Sequence, residues 1–274
     1  MLRIALPDSM TADLLASGLA QGPDRAAVEV VRVPEASAVA LLAAERADVA
    51  LVPTLTVLRH TELFDVLPPV AVSSWGYPYA RVFLRGDLGR PIQTLAFDPR
   101  AQQEVLLARL ILKEHYGQTP GFVPLPAPDL AALEAHDAVL LTGPDVPTLA
   151  APGLSFDLGQ EWYELSNYPM VWGLFAARHG AGTSEMRRVL RRGVAAAEAR
   201  RPMWLRSHEM PESLHAFYAE DLRYRLDDLA LAGLSELGEL LFEQGSLDEV
   251  PTVPFATLPD DDDVDEGIEP DPLV

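Results

Sequence analysis

The sequence predicts a two-lobed α/β protein. Short apolar runs alternate with amphipathic helical stretches over the first 90 residues. The same grammar restarts near Thr94. Two extended segments, Val70–Leu84 and Met170–Ala177, fall where a chain would pass between two such units.

The elements follow in order. Residues 2–6 form a β-rich run, and Asp8-Ser9 reads as a helix start before apolar positions at helical spacing over 12–19. Gly22-Pro23 ends that helix, 28–33 is a second strand, 36–47 an Ala/Leu-rich helix, and 49–52 a fully apolar third strand. This alternation implies a parallel sheet with right-handed crossovers. Residues 94–97 then predict a strand, 102–116 a long helix, 121–123 a strand, 129–134 a short helix and 138–141 a strand. Helices close the chain at about 184–200, 211–221 and 227–243. The expected division is 1–85 with 176–258 as one lobe, 86–175 as the other, and 259–274 as an acidic, poorly ordered tail.

Composition narrows the function. With 49% apolar and 23% charged residues the chain is globular, and it contains no apolar run of membrane-spanning length. The start Met1-Leu2-Arg3 reads directly as a strand, so a cytoplasmic enzyme is the expectation, with no membrane partner. Absence of cysteine removes disulfides, thiolate metal sites and cysteine nucleophiles. The six histidines show no metal-ligand spacing, so no metal is expected. Net charge is −20, and 15 acidic residues with no Lys or Arg follow Leu226; removing them from −20 leaves −5 for the body. Nucleic acid is therefore a poor partner, because phosphate neutralisation needs a basic stripe. Walker loops, dinucleotide glycine fingerprints and Gly-x-Ser-x-Gly elbows are missing, and Lys113 is the only lysine.

Ligands of open α/β sheets sit beyond the carboxyl ends of the strands. Three loops meet that rule: Pro7-Asp8-Ser9-Met10-Thr11, Pro53-Thr54, and Asp98-Pro99-Arg100-Ala101-Gln102-Gln103. The first and third open helices, whose free N–H groups favour a carboxylate or phosphate. Two such starts facing each other would suit a small dianion. Asp8 and Ser9 also fit as ordinary helix caps, and Gln102 and Gln103 as solvated helix formers. Arg100 can grip a carboxylate in bidentate fashion.

Three stretches resemble the chorismate dehydratase family of menaquinone biosynthesis. The first is Ala47-Asp48-Val49-Ala50-Leu51-Val52-Pro53-Thr54. The second, and most specific, runs from Asp157-Leu158-Gly159 through Trp162 and Ser166-Asn167-Tyr168-Pro169 to Leu174. The third is Tyr218–Leu226 followed by Ala232-Gly233-Leu234. The resemblance spans about residues 2–245 and implies the two-lobed fold of type II periplasmic solute-binding proteins, with mixed, mostly parallel sheets joined by a two-strand hinge. It also implies loss of water from chorismate, giving 3-[(1-carboxyvinyl)oxy]benzoate in the futalosine route, without metal or organic cofactor. Thr11 aligns with the family's loop Asn and becomes the candidate catalytic residue. Thr54 replaces a Ser, Arg81 follows Ala80 where the family has Ser, and Ala101-Gln102-Gln103-Glu104 replaces Ser-x-Thr-Ser. The candidate substrate-binding set is thus Asp8, Ser9, Thr54, Arg81, Arg100, Gln102 and Gln103. Self-association as a homodimer is common for such folds. Two other readings stand beside this one: a non-catalytic binder of a small carboxylate, and the sibling enzyme of the same route, which would need Asp8 with His136 or His179 in the cleft.

Overall fold

The computed structural model describes residues 1–34, 37–87, 89–150 and 153–258. The acidic tail, 259–274, lies outside the described residues. Two five-stranded sheets each carry their own helices.

The first sheet begins with β1 (Leu2–Pro7), α1 (Met10–Gln21), β2 (Val28–Val33), α2 (Ala38–Ala43), β3 (Val49–Pro53) and α3 (Thr54–Arg59). β1 pairs in parallel with both β2 and β3. The chain then enters β4 (Phe64–Ser74) and leaves for the second sheet, returning later as β10 (Met170–Arg178). β10 lies antiparallel between β3 and β4, giving the order β2-β1-β3-β10-β4. β3 and most of β10 are buried, which is why both read as unbroken apolar runs.

The second sheet contains β5 (Ala80–Leu84), β6 (Thr94–Phe97), α4 (Gln102–Glu114), β7 (Gly121–Pro124), β8 (Ala138–Thr142), β9 (Ser155–Asp157) and α5 (Leu158–Ser166). Its order is β7-β6-β8-β5-β9, with β6 parallel to β7 and β8, and β5 antiparallel to β8 and β9. The chain ends in α6 (Ser184–Ser207), α7 (Glu212–Ala216), a π-helical turn at Phe217–Asp221, and α8 (Asp228–Glu243).

Sheet membership moves the expected lobe limits of 85 and 175. β5 belongs to the second sheet and β10 to the first, so the chain crosses at 75–79 and again at 167–169. The crossings are neighbours, because Met170 pairs with Ser74 and Val171 with Ser73. The sequence hid this because 70–84 reads as one extended segment. Helix lengths also differ. α2 is shorter than its Ala/Leu composition implies, and α6 runs seven residues past Arg200, through Pro202. Burial of Trp204 and Leu205 beyond the proline favours that last turn.

Asp157 holds the crossing. Its Oδ1 accepts from the N–H of Tyr77 at 2.7 Å, of Gly159 at 2.8 Å and of Gln160 at 3.0 Å. It thereby caps α5 and grips the outgoing crossing at once. Gly159 lies so close to that crossing that a Cβ there would stand 2.6 Å from the Gly76 carbonyl carbon. Asn167, with φ of 63°, ends α5 in the left-handed region that Asn tolerates. In the first lobe, α1 packs on α6 through Gly18, where a Cβ would come within 2.6 Å of the Ala197 Cβ.

Gly159→Ala is expected to destabilise the protein by about 1–3 kcal/mol, the usual cost of overpacking. Gly86→Ala, with open space around its Cβ position, is expected to change stability by no more than about 0.5 kcal/mol. Urea unfolding of the two variants checks this, and equal midpoints would refute the close-approach argument. Gly18→Ala is expected to lower the melting temperature by several degrees through the same clash in the first lobe.

Candidate functional site

A cleft of about 940 Å³ lies between the two sheets. Its first-lobe wall comes from the β1–α1 loop, from α3 with its last residue Arg59, and from His60 and Leu63 beyond it. Its second-lobe wall comes from Asp98 to Glu104 and from Thr142-Gly143-Pro144. Tyr77 and Tyr79, on the crossing, also line it.

Three helices start on the cleft, α1, α3 and α4, and the first N–H of α3 in reach, that of Leu55, is taken by Gln103 Oε1. α1 starts at Ser9 and α4 at Ala101, and neither start has a side-chain cap. By contrast, Asp157, Thr183 and Asp227 cap α5, α6 and α8. The first-turn N–H groups of α1 and α4 are left to whatever occupies the cleft. α1 and α4 stand on opposite lobes, so the cleft has a helix start without a side-chain cap on either side.

Ser9 Oγ and Thr11 Oγ1 are 3.1 Å apart, within hydrogen-bonding reach of each other. The loop that carries them is fixed from behind: the buried Tyr224 hydroxyl donates to the Thr11 carbonyl at 2.7 Å. A second buried contact joins the Tyr79 and Tyr218 hydroxyls at 2.7 Å. Burial pushes both phenols above their ordinary pKa, so they stay neutral. Tyr77 stacks on Trp172 at 3.9 Å between ring centroids, and Trp172 Nε1 donates to Ser74 Oγ at 2.8 Å.

Charge around the cleft is largely paired. Arg32 reaches Asp13 at 2.6 Å and Asp8 at 3.5 Å. Arg100 binds Asp98 through Nη2 at 2.6 Å and through Nε to both oxygens. The Arg100 guanidinium is the chief reason the Asp98 carboxyl is held down to about 2. Arg59 makes no ion pair or side-chain hydrogen bond among the described residues, and it faces the cleft.

Six of the eight sequence candidates meet here: Asp8, Ser9, Thr11, Arg100, Gln102 and Gln103. Two do not. Thr54 is fully buried at the first turn of α3, behind the wall, with its Oγ1 unpartnered. Arg81 points along the second sheet, where its Nη2 donates to Ser155 Oγ at 3.1 Å. Gln103 lines the wall, but its amide is spent on Leu55 N–H and the Trp172 carbonyl. His136 lies near Thr94, and His179 pairs with Asp65; neither lines the cleft, which removes the geometry the sibling reading needs. Arg59, His60, Tyr77 and Tyr79 were not found from sequence. Their signal was slight: a helix after Pro53 that reads as a turn, and two tyrosines in an extended segment.

A family model described as menaquinone biosynthesis matches residues 3–243. No curated protein matches the chain. Among solved structures, protein AF1704 from Archaeoglobus fulgidus superposes with a TM-score of 0.62 at 19% identity, over 90% of this chain and 98% of that one. The periplasmic aliphatic sulphonate binding protein SsuA from Escherichia coli gives 0.64 at 13%, over 92% and 95%. The Candida albicans CA3427 gene product, described as showing the generic periplasmic binding protein fold, gives 0.58 at 14%, over 91% of both chains. At these identities the structures speak to the fold alone, and that fold is the two-lobed one of periplasmic binding proteins. The match over 3–243, together with this fold and cleft, shows that the chain belongs to the menaquinone biosynthesis family.

Proposed function

We propose that the chain acts in the cytoplasm on chorismate, removing water to give 3-[(1-carboxyvinyl)oxy]benzoate. The observation that carries this reading is the pair of uncapped helix starts, one on each lobe, across a cleft of about 940 Å³. Chorismate is a small dicarboxylate, so one carboxylate would rest on each start. Family membership supports a place in menaquinone biosynthesis.

The chemistry asks little of the protein. The C3–H and C4–O bonds break, the C3=C4 bond forms, and the proton and hydroxide leave as one water. The ring becomes aromatic, and no redox equivalent is consumed. Holding the substrate and easing one proton transfer would supply most of the rate. In this reading the Ser9–Thr11 hydroxyl pair carries the proton towards the departing hydroxyl. Arg59 adds a guanidinium to one carboxylate, while Arg100, engaged by Asp98, shapes the opposite wall.

The paired state of Arg100 favours a second reading, a binder of a small carboxylate without turnover. Incubation with chorismate, followed by chromatography against authentic product, separates the two. Product above a protein-free control is expected. Thermal stabilisation by another carboxylate without product would select the binder.

Thr11→Ala is expected to lower kcat by about 10²-fold or more with KM little changed, as for a lost proton-transfer group. Arg59→Ala is expected to raise KM about tenfold, the loss of one charge-assisted contact. Steady-state kinetics checks both, and an unaltered kcat in Thr11→Ala would remove the hydroxyl pair from the mechanism.

A further inference from the structure

Gln103 belongs to the second lobe, at the second position of α4. Its side chain is buried in the cleft wall, and both ends of the amide leave the lobe. Oε1 accepts the Leu55 N–H at 2.9 Å, and Nε2 donates to the Trp172 carbonyl at 3.0 Å. Leu55 lies in the first turn of α3, and Trp172 in β10. A single second-lobe side chain therefore satisfies a donor and an acceptor on two separate first-lobe elements.

We propose that Gln103 is a positioning residue, a clamp across the cleft that sets the distance between the lobes and so between the starts of α1 and α4. A neutral amide suits this task because it offers one acceptor and a donor group on one planar head. A carboxylate would oppose the Trp172 carbonyl, and a thioether would leave both backbone groups unpaired. With the amide in place, parting the lobes exchanges two internal hydrogen bonds for water. Without it, the approached arrangement buries an unpaired N–H and an unpaired carbonyl, so the lobes separate to hydrate them. The amide has a further effect on the site. It occupies the Leu55 N–H, leaving the starts of α1 and α4 as the donors for an anion.

The lobe distance can be measured without any substrate. The chain has no cysteine, so Glu29→Cys on the first lobe and Glu134→Cys on the second give two spin-label sites in the full protein. Both positions are exposed. The inter-label distance distribution is expected to lengthen and broaden in Gln103→Met, which keeps the side-chain length and removes both bonds. Gln103→Glu, which keeps the acceptor for Leu55 and faces the Trp172 carbonyl with an oxygen, is expected to shift the same way; it decides the question if the methionine variant does not fold. Distributions in both variants superimposable on the parent would overturn the clamp.

The kinetic half rests on the proposed chorismate activity. A smaller closed fraction weakens apparent binding in proportion, so KM is expected to rise about tenfold with kcat within about twofold. A side chain that served stability alone would lower the melting temperature and leave both the distance and KM in place. Should the parent protein show no turnover, the substrate reading fails, and the label distances alone still decide for or against the clamp.

Discussion

The architecture depends on one half-buried carboxylate at the place where the chain passes between its sheets. Asp157 accepts three backbone N–H groups, two from its own helix and one from Tyr77 on the outgoing crossing. Burial pushes its pKa up, while those donors and Arg81 pull it down. A partly desolvated carboxylate is tolerable when so satisfied. The grip fixes the direction of Tyr77, which stacks on Trp172, which in turn donates to Ser74 at the end of β4. The wall of the cleft and the seam between the sheets are therefore one connected object, and the Gly159–Gly76 approach leaves it no room to slide.

A second connection runs from the chain's end back to its beginning. Tyr224 reaches the Thr11 carbonyl 213 positions away, and Tyr218 meets Tyr79. Both tyrosines are held in turn by Arg201, a buried residue whose guanidinium donates to the Tyr218 carbonyl, pairs with Glu198 at 2.6 Å, and lies 5.6 Å from the centroid of the Tyr224 ring. The π-helical turn at Phe217–Asp221 presents Phe217 and Tyr218 to this cluster. Two of the stretches that resemble chorismate dehydratases thus do structural work in the same way: one secures the crossing, the other secures the β1–α1 loop. Of the residues that differ from the family pattern, some line the cleft in front of these stretches, whereas Thr54 is buried behind the wall and Arg81 lies along the second sheet. Thr11 and Gln103 are among those on the cleft.

Much of the frame was legible because its signals are local. The strands at 28–33 and 94–97 have the limits their apolar runs predict, and the uncapped starts of α1 and α4 lie where the strand-end rule puts ligands. What the sequence hid was tertiary. Thr54 and Arg81 are in suitable loops and strands by position, but side-chain direction decided against them: Thr54 turns into the core and Arg81 along its sheet. Gln103 could be placed on the cleft, yet nothing local says that both ends of its amide are occupied. Arg59 was missed because α3 is only six residues long and begins at a proline-led turn. The lobe limits shifted because the antiparallel pairing of β5 with β8 and β9 is non-local information.

A chain of net charge −20 proposed to receive an anion poses an electrostatic question. Screening answers part of it, since exposed charges are damped beyond about 8 Å at physiological ionic strength. Fifteen of the acidic residues follow Leu226, which leaves −5 on the rest of the chain. Inside the cleft, Asp8, Asp13 and Asp98 face guanidinium partners, and the low pKa of Asp98, about 2, keeps its pair with Arg100 intact across the physiological range. Arg100 therefore cancels a carboxylate that the protein itself supplies. Under the proposed function, attraction for the substrate falls to groups whose charge is not already answered: the first-turn N–H groups of α1 and α4, and Arg59. Backbone dipoles have an advantage here that a second arginine would lack. Their partial charges are fixed in place by the helices, so the distance between the two starts changes only when the lobes move.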